Sequence, residues 1–171
     1  MNIHFILTCG TIDSYYDGTK DTAVPQVHSV LPRYIKGLNL PYTFKFTEVC
    51  MKDSRAMMPS NIKKIVQVIK HSTAKKIIIT HGTYTMSDSA RYVERHFKDT
   101  KKTIVFTGSM IPLDGFNFSD AGFNLGFALA QVNSLTPGTY VVMNGKVLLS
   151  ENATKIISEG RFTSLFTSKQ L

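Results

Sequence analysis

The pattern Thr-x-Gly-Thr occurs twice in this chain, as Thr8-Cys9-Gly10-Thr11 and as Thr80-His81-Gly82-Thr83. Each copy follows an apolar run, Ile3 to Leu7 in the first case and Ile77-Ile78-Ile79 in the second. A third small, hydroxyl-bearing turn, Thr107-Gly108-Ser109, follows Ile104-Val105-Phe106. Glycine lets a backbone turn sharply and approach a ligand closely. The N–H groups that follow, near a helix start, can receive an anion or a developing oxyanion. Threonine and glycine are also ordinary strand-end and capping residues, so one such turn carries little. Two near-copies and a third point instead to turns that share one cleft. None of them contains G-x-x-x-x-G-K-[ST] or G-x-G-x-x-G, which makes nucleotide binding the weaker reading of that cleft.

The elements that would position these turns follow from periodicity. Short runs rich in β-branched residues at 3–7, 42–48, 76–80, 103–107 and 139–143 read as strands. Between them, Ile62, Ile65, Val66 and Ile69 share one face of a helix over 60–71, with Ser60 as its N-cap. Ala90, Val93 and Phe97 do the same over 85–97. The stretch 119–132 is expected to bury Phe123, Phe127, Ala128 and Val132, and a weaker helix covers about 26–36. Alternating strands and helices with nearly continuous apolar strands predict an α/β fold of three layers, a mostly parallel sheet flanked by helices in the Rossmann-like or flavodoxin-like manner. Asn144-Gly145, between YVVM and KVLL, predicts a C-terminal β-hairpin whose last strand turns back antiparallel. Ligands of such sheets sit outside the carboxyl ends of the strands, where all three hydroxyl-bearing turns fall. The tail SKQL is expected to fray.

Composition narrows the function classes. With 171 residues and 43% hydrophobic content, the chain suits one domain spanning 1–171, with a core that needs no disulfide staples. Its two cysteines, Cys9 and Cys50, form no framework and no C-x-x-C, as expected in a reducing cytosol. The opening MNIHFILTCG reads as a first strand entering a turn, and no apolar stretch of ~18 residues is present for a membrane span. A cytoplasmic protein without a membrane partner is expected. Net charge +8 raises the question of nucleic acid. The pairs Lys63-Lys64, Lys75-Lys76 and Lys101-Lys102, however, fall on polar helix faces or just before strands. Neither aromatic-basic interleaving nor zinc-ligand spacing accompanies them, so no nucleic-acid partner and no metal are expected.

The signature stretches resemble those of the bacterial-type L-asparaginases. TCGTID is similar to the family's TGGTI and THGTYTM to its HGTDTM. Lys52-Asp53-Ser54-Arg55-Ala56-Met57 resembles its D-S-x-x-M segment. Phe106-Thr107-Gly108-Ser109-Met110 with Ser119-Asp120-Ala121-Gly122-Phe123-Asn124-Leu125 resembles TGAM…SDGPFNL, and Val141-Val142-Met143-Asn144 with Ala153-Thr154-Lys155 resembles VVMND…VTK. The segments keep the family's order from residue 6 to residue 155. They cover the N-terminal half of the usual two-domain enzyme, so the C-terminal domain of those relatives is expected to be absent.

The resemblance implies hydrolysis of a side-chain amide, L-asparagine giving L-aspartate and ammonia, without metal or cofactor. It implies Thr11 as nucleophile, with Tyr16 (Tyr15 being the adjacent alternative) activating it from a lid-like loop. A threonine hydroxyl is a weak nucleophile and needs such help. Thr83 would be the second threonine, coupled to Lys155. Ser54 would hold the substrate carboxylate, and backbone N–H groups around Thr11, Gly82 and Thr83 would form the oxyanion hole, with Gly10 and Gly82 lining the substrate. His81 would be an orienting group; His4, His28, His71 and His96 share no spacing and take no role.

Three departures bear on substrate. Tyr84 stands where the family places an aspartate for the substrate ammonium. Either another carboxylate (Asp13, Asp88 or Asp120) takes its place, or the substrate is another ω-amide, or the domain only binds amides or amino acids. Cys9 stands where the family has glycine and puts a thiol beside Thr11, with no histidine or aspartate partner evident for it. Arg55 occupies an often neutral position and can pair a carboxylate in bidentate fashion. The missing second half implies a homo-oligomer, in which an identical subunit lends surface to the site.

Overall fold

A computed structural model describes residues 2–166. The expected fraying of SKQL lies outside those residues. Six strands form one sheet: β1 (Asn2–Cys9), β4 (Thr43–Lys52), β5 (Lys76–Thr80), β6 (Thr103–Thr107), β7 (Gly138–Met143) and β8 (Lys146–Leu149). Their order is β4-β1-β5-β6-β7-β8, parallel throughout except that β8 returns antiparallel to β7. Two small hairpins stand apart from it. One pairs β2 (Ser14–Asp17) with β3 (Thr22–Pro25), and the other pairs β9 (Ala153–Ile156) with β10 (Arg161–Ser164). The expected three-layer α/β fold is present.

Strand alternation explains the two cores. On β1, Ile3, Phe5 and Leu7 point to one face and pack with Leu31 and Ile35 of α1 (Leu31–Gly37) and with Leu125, Ala128 and Val132 of α4 (Ala121–Ser134). Ile6 points the other way, toward Ile65 and Ile69 of α2 (Pro59–His71) and Ala90 and Val93 of α3 (Met86–His96). Ile77 and Ile79 of β5 join this second core, while Ile78 joins the first. Each fully buried isoleucine contributes roughly 1.5–3 kcal/mol. A sheet covered on both faces needs the apolar runs that the sequence shows.

Some local expectations are revised. Helix α2 begins at Pro59, whose fixed φ suits the first helical position, and Asn61 Oδ1 accepts the Met58 N–H at 3.0 Å. Ser60 is therefore inside the helix rather than its cap. Phe123 is 61% exposed, because α4 turns Ala121, Leu125, Ala128 and Val132 inward and leaves Phe123 stacked on Phe127. The Asn144-Gly145 turn joins β7 to an antiparallel β8 as expected, but β8 is not the last strand. His4 lies in the sheet, 1% exposed, with its ring nitrogens 2.8 Å from Ser72 Oγ and Thr47 Oγ1. Burial pushes its pKa down to about 4, so it serves as a neutral structural bridge.

Candidate active site

Chain connections leave β1 toward β4 on one side and, later, toward β5 on the other. The ends of β1 and β5 therefore flank the point where the winding reverses, the usual position of a ligand crevice. Both Thr-x-Gly-Thr turns lie there, and the glycines explain why. A Cβ on Gly10 would be driven into the backbone N and Cα of Gly82, so the two turns touch main chain to main chain. A Cβ on Gly82 would lie 2.6 Å from Ser54 Oγ, and one on Gly108 would strike the His81 carbonyl. Hydrogen bonds fasten the same junction. Thr8 Oγ1 donates to the Thr80 carbonyl at 2.7 Å, the Gly10 N–H to Lys52 at 3.2 Å, and the His81 N–H to Thr107 at 2.9 Å.

The turn after β1 is tight. Cys9 (φ 70°) and Gly10 (φ 77°) both sit in the left-handed region, which reverses the chain so that Thr11 opens a single 3-10 turn. For Cys9 that conformation costs on the order of 1–3 kcal/mol. Its thiol is fully buried and donates to the carbonyls of Gly10 and Asp13; burial and the nearby Asp13 push its pKa up to about 12. It is a thiol, not a thiolate nucleophile.

Thr11 is half-buried and Thr83 is 7% exposed. Strand β9 brings Lys155 across the crevice, where its Nζ donates to Thr83 Oγ1 at 2.7 Å. Burial lowers the Lys155 pKa, and among the described residues the amine forms no ion pair. The N–H groups of Thr11, Gly82 and Thr83 have no backbone acceptor among the described residues. Ser54 is buried in a short turn capped by Asp53, whose carboxylate accepts the Arg55 N–H at 2.8 Å. Thr85 Oγ1 ties that turn to the second signature by donating to the Ser54 carbonyl at 3.1 Å. His81 is fully buried, and its Nδ1 donates to the Gly82 carbonyl at 2.9 Å. Burial lowers its pKa to about 4, so it holds this turn as a neutral ring.

The structure thus gathers Gly10, Thr11, Ser54, Gly82, Thr83 and Lys155. Three other expected site residues face solvent. Tyr16 lies on β2, 53% exposed, and its hydroxyl donates to Asp21, which raises its pKa. Residues 14–25 are thus a paired hairpin rather than a loop. Arg55 spends its guanidinium on Asp53, at 3.0 and 3.2 Å, and stands 6.0 Å from the ring of Tyr84, which is 60% exposed. The carboxylates considered as replacements at Tyr84 are all engaged. Asp13 is buried under Ser29 Oγ and the Val30 N–H, and its pKa is raised by that burial. Asp88 pairs with Arg91 at 2.7 Å. Asp120 accepts the N–H groups of Met110 and Ile111 and the Asn124 amide.

Sequence reasoning placed Asn124 and Asn144 in family-like segments, and Asn144 in a turn, but gave neither a role in the site. The segment around Lys155 is short and polar, so nothing in its periodicity announces the β9–β10 hairpin. Among the described residues there is no group of three or more His, Cys, Asp or Glu placed to hold a metal, and no helix long and apolar enough to cross a membrane.

Fold and site together define a doubly wound α/β domain with a hydroxyl–lysine pair at its switch point. The chain belongs to the asparaginase family, matching the family's N-terminal domain over residues 2–170. It is similar to the L-asparaginase of Thermococcus kodakarensis, 36% identical over 84 residues that make up 49% of this chain and 25% of that one. Similarity to the glutaminase-asparaginase of Acinetobacter glutaminasificans is 30% over 99 residues, 56% of this chain and 29% of that one. The fold matches the solved thermostable L-asparaginase of Thermococcus kodakarensis with TM-score 0.82 at 24% identity, covering 96% of this chain and 51% of that one. It matches the probable cytoplasmic L-asparaginase of Campylobacter jejuni with TM-score 0.75 at 24% identity, covering 95% and 51%. The chain spans about half the length of these solved structures.

Proposed function

We propose that this domain hydrolyses a side-chain amide, with L-asparagine giving L-aspartate and ammonia. The observation that carries the reading is the Lys155–Thr83 pair, 2.7 Å apart, at the junction where Gly10 and Gly82 meet. Thr11 Oγ1 attacks the amide carbon. The oxyanion that forms is received by N–H groups of Thr11, Gly82 and Thr83. The Thr11 proton passes to the leaving nitrogen, ammonia departs, and an acyl-threonine remains. Water then attacks the ester carbon, its proton returns to Thr11 Oγ1, and the acid is released. Burial keeps a larger share of Lys155 neutral than in water, so with Thr83 it can take up and return the proton. Ser54 holds the substrate carboxylate, and Tyr16 swings inward on its hairpin to activate Thr11.

A second reading is favoured by the engagement of Asp13, Asp88 and Asp120 with other partners: an amidase for an ω-amide that lacks an α-ammonium. Ammonia release from L-asparagine, L-glutamine, D-asparagine and succinamic acid separates the two readings. Turnover of L-asparagine supports the first, and turnover of succinamic acid alone supports the second. Silence from every amide in folded protein contradicts both and leaves a domain that binds amino acids, seen as a saturable melting shift. We further propose a cytoplasmic homo-oligomer, supported by the two unpaired cysteines and by exposed aromatic side chains such as Phe118, 92% exposed. Light scattering of the purified chain tests its assembly.

A further inference from the structure

Lys155 reaches Thr83 from a hairpin outside the main sheet, so something must fix that hairpin against the crevice. Two apolar anchors, Ala153 and Phe162, are buried in the core shared by α2 and α3. Arg91 adds a bond to the Ala153 carbonyl at 2.9 Å. A further, polar attachment runs through Asn144. Phe162 lies directly opposite Lys155 in the β9–β10 register. Its N–H donates to Asn144 Oδ1 at 3.0 Å. The Asn144 N–H in turn donates to Asn124 Oδ1 at 3.1 Å. The Asn124 amide donates to the Gly108 carbonyl at 3.0 Å and to Asp120 at 2.9 Å, closing the chain on the third hydroxyl-bearing turn.

We propose that Asn144 is a positioning residue: its side-chain oxygen fixes Phe162, and through the facing pair fixes Lys155, in register with Thr83. The inference rests on the reading of Lys155 and Thr83 as catalytic. Several features favour a built device over a turn residue alone. Asn144 has φ 54°, a left-handed conformation that asparagine tolerates and most residues do not. A two-residue hairpin turn needs only that conformation, which glycine or aspartate also supplies. The Asn144 side chain does more, accepting from a strand of a different sheet. Asn124, its partner, is fully buried, and both of its amide ends are bonded. The route therefore runs from the turn after β6, through α4 and the β7–β8 turn, to the element that carries the lysine.

The backbone angle gives a clean pair of variants. N144G keeps the left-handed turn and removes the acceptor, whereas N144D keeps both. We expect N144G to lower kcat about tenfold or more with KM within about twofold, since a misplaced proton-transfer group affects the chemical step rather than binding. N144D should stay within about twofold of the natural protein in both constants. A direct readout needs no turnover: NMR titration of isotope-labelled lysine side chains. In N144G the Lys155 amine should become better solvated and titrate closer to an ordinary lysine, while in N144D it should not. If the natural protein releases no ammonia, the amidase reading fails, and the lysine titration still decides the positioning role. Should N144G not fold, hydrogen exchange at the Phe162 amide of the natural protein replaces it, with slow exchange expected for a donor held by Asn144 Oδ1. Fast exchange at Phe162, an unchanged Lys155 titration and kcat in N144G, or the same change in N144D would overturn the proposal.

Discussion

At the scale of the residue, two glycines and a tyrosine decide most. Gly10 has no space for a Cβ and has φ 77°, so Gly10→Ala meets both a clash with Gly82 and left-handed strain. The expected cost is about 3 kcal/mol or more, read as a shift of the urea midpoint, and a loss under about 1 kcal/mol would contradict the packing described. This glycine was legible in the sequence, because a repeated Thr-x-Gly-Thr at strand ends demands a conformational reason. Tyr84 was legible only as a departure. Its hydroxyl brings no negative charge, and a charge-assisted hydrogen bond is worth about 1.5–3 kcal/mol. Tyr84→Asp is therefore expected to raise kcat/KM for L-asparagine about ten- to a hundredfold while leaving succinamic acid unimproved. An unchanged preference would mean that the substrate amine is held elsewhere.

Among the elements, the strands of the main sheet and helices α2, α3 and α4 could be read from periodicity, because burial on both faces forces apolar runs and helical spacing. The β2–β3 and β9–β10 hairpins could not, since their strands are four residues each and bury too few apolar side chains, Ala153 and Phe162 in the second hairpin, to set a period. Phe123 misled for a related reason: α4 is apolar nearly all round, so spacing alone does not select its inner face. The turn between β6 and α4 depends on one carboxylate instead. Asp120 accepts both backbone N–H groups of Met110 and Ile111 and the Asn124 amide. Asp120→Ala should cost about 2–4 kcal/mol, as hydrogen bonds to a charged acceptor are lost and a buried amide is left short of a partner. Thermal unfolding measures this, and Asp120→Asn should recover part of it.

For the molecule as a whole, acid should act through its buried neutral histidines. His4 titrates near 4 in the fold against 6.5 when exposed, so below pH 6.5 the unfolded chain takes up the proton first. The stability tied to the neutral ring is complete above 6.5 and is lost progressively toward pH 4, on the order of 3 kcal/mol for such a group. His81 adds a loss of the same sign. His4→Gln should be less stable at neutral pH yet show a shallower decline between pH 6.5 and 4; parallel curves would contradict the assignment. The central claim, that the two Thr-x-Gly-Thr turns form one catalytic unit, is tested most directly by ammonia release from L-asparagine in the natural chain beside Thr11→Ala and Thr83→Ala, each with its folding checked by melting. Turnover in the natural chain that falls by a thousandfold or more in both variants is the predicted result. Turnover that survives in either folded variant would contradict it.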